Sequence, residues 1–318
     1  MAENEERRVI LVTGATGFVG RHLCEDLRQR GLAFRPVSRK SRPDHLTIPD
    51  ISAATDWSAA LSGIDCVIHL AARVHVMRER EADPLAAFRA MNVEATLNLA
   101  RQAAEAGVRR FVYVSSIKVN GETTAEGKPF RADDAPAPQD PYGRSKAEAE
   151  SALLDLGRQT GLQIVIIRPP LVYGPGVGAN FRLLMRWAAS GIPSPFGCCR
   201  NSRSLVYVGN LTDLLMTAAG HPAAISEVFL VSDGEDLSTK ELFHTMADLQ
   251  NKRAISLPLP VGAMEGLASL AGKASLSDRL LKNLQVDIAK TEAVLSWKPR
   301  YSIKQGLQKT ILGGARQE

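Results

Sequence analysis

Tyr142 and Lys146 stand four residues apart in "PYGRSK", a spacing that places both on one face of a helix. Asp140 is positioned to cap that helix, and Pro141 suits its first turn. A free phenol titrates near ~10. An ammonium beside it favours the phenolate and lowers that value. A phenol tuned in this way can exchange a proton with an oxygen whose carbon gains or loses hydride. Upstream, the apolar run "RFVYVSS" ends in Ser115 and Ser116, where a serine hydroxyl could hold the same oxygen. Taken alone, Tyr-x-x-x-Lys also describes an ordinary surface pair, so the meaning rests on the surroundings.

The second chemical feature is "LVTGATGFVG", with glycines at 14, 17 and 20 directly after the apolar run Val9 to Val12. Gly14 would allow a sharp turn, Gly17 would let the backbone approach a pyrophosphate, and Gly20 would let the helix pack closely on the strand. The helix start offers free N–H groups and partial positive charge to phosphates. A plain structural turn is the alternative. At the end of the second strand, an acid would bind the ribose hydroxyls of NAD. The chain instead reads Ser38-Arg39-Lys40-Ser41-Arg42. These cations suit a 2′-phosphate, which favours NADP(H) over NAD(H).

These groups need a scaffold, and the patterning supplies one. Strand-like runs at 9–13, 33–38, 66–71, 110–115 and 163–168 alternate with helix-like segments at 17–30, 56–62, 84–107 and 142–161. That order predicts an α/β fold: a Rossmann-type, doubly wound parallel sheet covered on both faces. After Gly174 the rhythm changes. Residues 1–176 are read as the dinucleotide-binding core, with 204–233 rejoining it through "VFLVS". Residues 177–203 and 234–318 are read as a smaller, interleaved substrate lobe. The irregular stretch 121–141 is long enough to imply function or mobility.

Bulk properties exclude several classes. The chain has 318 residues, 45% apolar and 23% charged, with a net charge of +5. The basic residues are scattered among acids, as in Arg78-Glu79-Arg80-Glu81, which reads as a solvated face and not a nucleic-acid stripe. Cys24, Cys66, Cys198 and Cys199 show no C-x-x-C spacing, and a reduced, cytoplasmic protein is the simple reading. The six histidines lack metal-ligand spacing, so no metal is expected. No secretory signal is evident, and no apolar run reaches the ~18 residues of a membrane span.

Together, T-G-A-T-G-F-V-G at 13–20, H-L-A-A at 69–72, Asn92 in "MNVEATLNLA", "VSSIKVNG" at 114–121, "YGRSK" at 142–146 and "RPPLVYGPG" at 168–176 resemble the extended short-chain dehydrogenase/reductases. That family includes nucleotide-sugar epimerases, dehydratases and reductases. The resemblance implies that Ser116, Tyr142 and Lys146 are catalytic. Tyr142 would be the acid/base, and Lys146 would bind the nicotinamide ribose. It further implies that Gly14, Thr16, Gly17, Phe18, Val19, Gly20, Ser38, Arg39, Lys40, Asp50, Ile51, Leu70, Ala71, Ala72 and Arg73 line the cofactor, with Pro169 and Pro170 near the nicotinamide. Asn92 would hold the active-site strand, or merely cap a local turn. Ser116, Lys118, Asn120, Asn180, Arg203 and Arg279 are the candidate contacts to a UDP-sugar, the last three through its diphosphate.

Departures from the family pattern narrow the reaction. Dehydratases usually follow the catalytic hydroxyl with Asp-Glu, whereas this chain has Ile117 and Lys118. Ser38-Arg39 argues mildly against a permanently held NAD. The resemblance therefore points to an NAD(P)H-dependent C4 reductase of a UDP-4-keto-6-deoxy-N-acetylhexosamine, similar to the reductases that form UDP-N-acetylquinovosamine for surface polysaccharides. A UDP-hexose 4-epimerase is the alternative, and a non-catalytic dinucleotide sensor or scaffold is an alternative of another class. The resemblance also implies a homodimer, through helices at 84–107 and 142–160.

Overall fold

The computed structural model describes residues 9–74, 83–270, 272 and 274–314. The charged stretch Arg78 to Glu81 lies outside them. The first half alternates β1 (Ile10–Thr13), α1 (Phe18–Gln29), β2 (Phe34–Ser38), β3 (Leu46–Thr47), α2 (Ser58–Leu61), β4 (Cys66–His69), α3 (Pro84–Arg89), α4 (Ala95–Glu105), β5 (Arg110–Val114), α5 (Pro141–Thr160) and β6 (Gln163–Arg168). There follow β7 (Leu171–Tyr173), α6 (Ala179–Ser190), β8 (Arg203–Tyr207), α7 (Val208–Gly220), β9 (Glu227–Leu230) and β10 (Asp236–Leu237). Helices α8 (Thr239–Asp248), α9 (Val261–Leu270), α10 (Ala274–Leu281), α11 (Ala289–Leu295) and α12 (Ile303–Gly314) complete the described chain.

Seven strands form one sheet in the order β3-β2-β1-β4-β5-β6-β9. Every pairing in it is parallel. The pleat explains the unbroken apolar run of β1. Ile10 and Val12 enter the core on one face with Leu23 and Leu27 of α1 and Leu211 and Leu215 of α7. Leu11 enters the opposite core with Leu99 of α4 and Leu153 of α5. Each such leucine contributes roughly 1.5–3 kcal/mol by leaving water. The segment "VFLVS" does rejoin this sheet, with β9 pairing to β6 from Val165↔Glu227 to Arg168↔Leu230.

A second, three-stranded sheet runs β10-β8-β7. It belongs to a third core in which Tyr173, Phe181, Phe196, Tyr207, Phe243 and Leu307 pack together. The region predicted as one helix at 84–107 contains a π-helical turn, Ala90–Glu94, between α3 and α4. The extra residue of that turn points Asn92 fully inward. The stretch 121–141 forms a strap. Phe130 bridges Val286, Phe130 N donates to Gln285 O at 2.9 Å, and Thr124 N donates to Asn283 O at 3.0 Å. Gly121 sits against this strap because a Cβ there would lie 2.8 Å from the Phe130 ring.

Candidate active site

The turn after β1 is built around Gly14, at φ +66°, where a Cβ would lie 2.8 Å from the Leu70 and Ala71 backbone. A Cβ on Gly20 would approach the Gly14 carbonyl to 2.2 Å, so the start of α1 can lie this close only as glycine. Gly17 N donates to Gly14 O at 2.9 Å, and no side chain caps α1. The first N–H groups of the helix therefore face the cradle. Thr13 ties β1 to β4: its hydroxyl lies 2.7 Å from His69 Nδ1 and accepts from Leu70 N and Ala71 N. Burial, with Lys146 adding to it, pushes His69 down to about 3, so the ring is neutral; its Nε2 lies 3.1 Å from Thr96 Oγ1.

Beside the cradle, Thr16, Ser38, Arg39, Lys40, Arg42 and Pro49 line a cleft of about 440 Å³. Ser38 donates to Lys40 O at 2.8 Å and so folds the two cations over its rim. Pro49 lines this cleft; Asp50 is exposed, its carbonyl accepting from Thr55, and Ile51 is buried in the core. Phe18 and Val19 pack partly buried against the neighbouring cores. The Gly14–Gly20 cradle, the uncapped helix start and the polar cleft fit a dinucleotide.

Ser116 ends the loop after β5, and its hydroxyl accepts from Lys118 N at 3.3 Å. Asp140 caps α5 by accepting from Gly143 N at 2.6 Å, which fixes the turn that carries Tyr142. Burial pushes the Tyr142 phenol up to about 12, aided by the Asp140 charge and opposed by a hydrogen bond with Ser116. The expected lowering by Lys146 is therefore not seen. Lys146 is itself buried, donates to Val114 O at 2.8 Å and lies 4.4 Å above the Tyr113 ring. Burial brings its ammonium down to about 7, with Glu150 resisting. Desolvation is the largest influence on both groups, and it disfavours the charged form of each.

Asn92 accepts from Arg73 N at 2.8 Å, donates to Arg73 O at 3.0 Å and donates to Ser145 Oγ at 3.0 Å. Ser145 in turn donates to Tyr142 O at 2.8 Å. Asn92 thus clamps the Ala71–Arg73 loop beyond β4 to the turn of α5 that carries Tyr142. Pro169 and Pro170 are buried after β6, and Pro169 O accepts from Ile117 N at 3.0 Å.

The substrate-side residues divide. Lys118 is paired with Glu122 at 2.7 Å and with Asp140. Asn120 is buried, donating to Arg131 O at 2.8 Å and accepting from Arg168 Nη1 at 3.0 Å. Both side chains thus have structural partners within the chain. Arg203 and Arg279 come together: burial brings the Arg203 guanidinium down to about 10, and the Arg279 charge adds to the effect. Arg203 donates to Lys282 O at 2.7 Å. Residues 282–287 thus touch both Arg203 and the 121–141 strap, connecting the two ends of the site. Asn180 is exposed at the start of α6.

A family model described as "NAD dependent epimerase/dehydratase family" matches residues 10–232. The chain belongs to that family. Among relatives of the epimerase/dehydratase family, UDP-glucose 4-epimerase of Vibrio cholerae is 45% identical over 307 residues, covering 95% of this chain and 94% of that protein. The N-acetyl-alpha-D-glucosaminyl-diphospho-ditrans,octacis-undecaprenol 4-epimerase of Escherichia coli O157:H7 is 28% identical, covering 95% and 94%. Among solved structures, MoeE5 in complex with UDP-glucose and NAD superposes with a TM-score of 0.77 at 27% identity, covering 97% of this chain and 99% of that one. This chain is thus an NAD(P)-dependent enzyme of the extended short-chain dehydrogenase/reductase type.

Two polar clusters lie behind the site, with little signal in the sequence. Arg168 forms a buried ion pair with Glu150 at 2.6 Å, one turn beyond Lys146. Asp233 accepts from Tyr173 OH, Tyr207 N and Asn210 Nδ2 at 2.7–2.8 Å, joining the small sheet to α7. Only the Glu150 position, four residues after Lys146 on the same helix face, could have been read as a partner. Among the described residues, no three His, Cys, Asp or Glu side chains converge as a metal site, and no helix is long and apolar enough to cross a membrane.

Proposed function

We propose that this protein interconverts the C4 epimers of a UDP-linked hexose by reversible oxidation at that carbon. The observation that carries the reading is that Ser116 stands close enough to the Tyr142 phenol to favour its ionised form against burial, with Ile117 and Lys118 following where a dehydratase would need carboxylates. Likeness over nearly the whole chain to a UDP-glucose 4-epimerase supports it. Residues 177–203 and 234–318 would hold the nucleotide sugar, with Arg203 and Arg279 on its diphosphate. When bound, the dinucleotide supplies two-electron oxidation and reduction at C4.

The chain's own groups handle the proton. Tyr142 accepts it from the C4 hydroxyl and returns it to the C4 oxygen after the sugar has turned its other face. Ser116 donates a hydrogen bond to that oxygen in the ketone state. Lys146, balanced at about 7, can carry a positive charge beneath the phenolate as it forms. Asn92 keeps the Arg73 loop and the Tyr142 turn in register.

A second reading is net reduction of a UDP-4-keto-6-deoxy-N-acetylhexosamine by NADPH. The basic lining of the Ser38 cleft, Arg39, Lys40 and Arg42, favours it, because a 2′-phosphate suits that lining. A homodimer through α3, α4 and α5 belongs to the same proposal, with the partly buried Met91, Leu97 and Leu154 as its apolar contact, checked by light scattering.

The test is absorbance at 340 nm with purified protein, NADPH or NADH, and the 4-keto sugar nucleotide, alongside assay of UDP-hexose interconversion and of dinucleotide released on denaturation. Interconversion with bound NAD and no net loss of reduced cofactor supports the epimerase. Stoichiometric loss of NADPH supports the reductase and overturns the epimerase reading.

A further inference from the structure

Helix α9, "VGAMEGLASL", is apolar yet contains no buried residue. Val261 and Met264 rest against the third core, while Leu267 and Leu270 point outward, 62% and 89% exposed. Exposed aliphatic side chains continue along the segment that leads into the helix. Ile255 and Leu257 flank Ser256, and this segment pairs with Ser194, two residues after the exposed Ile192. Leu257 N donates to Ser194 O at 2.7 Å, and Ser194 N donates to Ile255 O at 2.8 Å, so these side chains share one rigid edge.

The rim of this edge is basic. Exposed Lys252 and Arg253 lie three and two positions before Ile255. Lys282, just beyond α10, is paired with Asp278 at 2.7 Å and adds no free charge, while Glu265 is the one ionisable residue of α9. Bulky aliphatic tips on a short apolar helix, with lysine and arginine beside them, match the interfacial region of an anionic bilayer. There the tips enter the acyl boundary while the cations meet headgroup phosphates. We propose that α9 and the Ile255–Leu257 segment form a docking surface for an anionic lipid bilayer. Docking goes beyond the proposed reaction and does not depend on it. Its consequence for substrate delivery rests on that reading: α10, which packs on α9, carries Arg279, so docking would act on an element next to the proposed diphosphate contact.

The test is sedimentation of the full chain with vesicles of phosphatidylcholine alone or with about one third phosphatidylglycerol. Binding to the anionic vesicles is expected, weakening as salt is raised. A Leu267→Glu/Leu270→Glu variant should lose at least about tenfold in partition coefficient while keeping its thermal midpoint, because neither leucine is buried. Lys252→Glu/Arg253→Glu should weaken anionic binding and leave the midpoint unchanged. Absence of vesicle binding, or undiminished binding by the double-leucine variant, overturns the proposal. Loss of an oligomer in the leucine variant, with no vesicle binding by the parent, assigns the surface to a second copy and likewise overturns it. None of these readouts uses sugar turnover, so they remain decisive if the proposed reaction is wrong.

Discussion

Replacing Lys146 by methionine should make the protein more stable and inactive. Lys146 is 2% exposed, and burial lowers its ammonium from 10.5 to about 7. At pH 7 the unfolded chain holds this proton and the folded chain half releases it, a difference worth roughly 4–5 kcal/mol against folding. Methionine fills a similar volume without that cost. It forfeits the hydrogen bond to Val114 O and the contact with the Tyr113 ring, a loss of about 1–3 kcal/mol. A net gain of about 1–4 kcal/mol remains, or roughly 2–6 °C in Tm for a chain of this length. The sign fixes the pH window. A lysine with a depressed folded value leaves the unfolded state with more bound protons between pH 7 and 10.5, so wild-type stability rises with pH across that range. The advantage of Lys146→Met is therefore largest at and below pH 7 and shrinks towards pH 10. Urea unfolding of both proteins at pH 6.5, 8 and 9.5 measures it. A variant less stable at pH 7, or a difference that does not change with pH, would refute the reasoning.

Other substitutions test other parts of the site. Tyr142→Phe should lower turnover ~10²–10⁴-fold while dinucleotide affinity, followed by fluorescence titration, stays within a factor of two or so. Glu150→Gln leaves the Arg168 guanidinium buried without its counter-charge and should cost about 3–5 kcal/mol, much of it recovered in Glu150→Gln/Arg168→Met, as a double-mutant cycle in urea would report. Gly20→Ala forces α1 away from the Gly14 carbonyl and should abolish dinucleotide binding, with folding checked by circular dichroism. Tyr113→Phe removes a buried hydroxyl that has no partner among the described residues and should raise Tm by about 1–3 °C.

The parallel sheet was legible because its strands are short apolar runs separated by helices with readable ends. Asp140 and Pro141 mark the start of α5, and Gly161, at φ +80°, marks its end. The glycine cradle was legible because its spacing reports a close backbone approach that no other residue permits. The partners of Lys146 were not legible. The Val114 carbonyl and Tyr113 ring reach it only once β5 and α5 pack, and that burial reverses the sign expected for Tyr142. Asn120 and Lys118 looked available for substrate because their partners Arg168 and Asp140 lie 48 and 22 residues away. The π-helical turn left no trace either, since Ala90 to Glu94 continues an ordinary helical pattern.

Strand order explains why these residues gather at one edge of the sheet. All seven strands of the large sheet run parallel, so their C-terminal ends lie along one edge. In spatial order that edge carries Ser38–Lys40 after β2, Thr13–Gly20 after β1, Leu70–Arg73 after β4, Ser115–Ser116 after β5 and Pro169–Pro170 after β6. The strand order reverses at β1, where β2 lies to one side and β4 to the other, and the cradle opens at that point. Neighbouring strands lie about 4.8 Å apart, so β2 and β5 are separated by roughly 14 Å. The basic cleft at Ser38, the glycine cradle and the Ser116–Tyr142 pair proposed to move the proton are therefore spread along one line, an order that suits the parts of an extended dinucleotide. The separation also divides their effects. An acid at Arg39 would act roughly 14 Å from the strand that carries Ser116, beyond a Debye length at physiological salt. Such a change should alter the choice between NADH and NADPH while leaving proton transfer at Tyr142 intact.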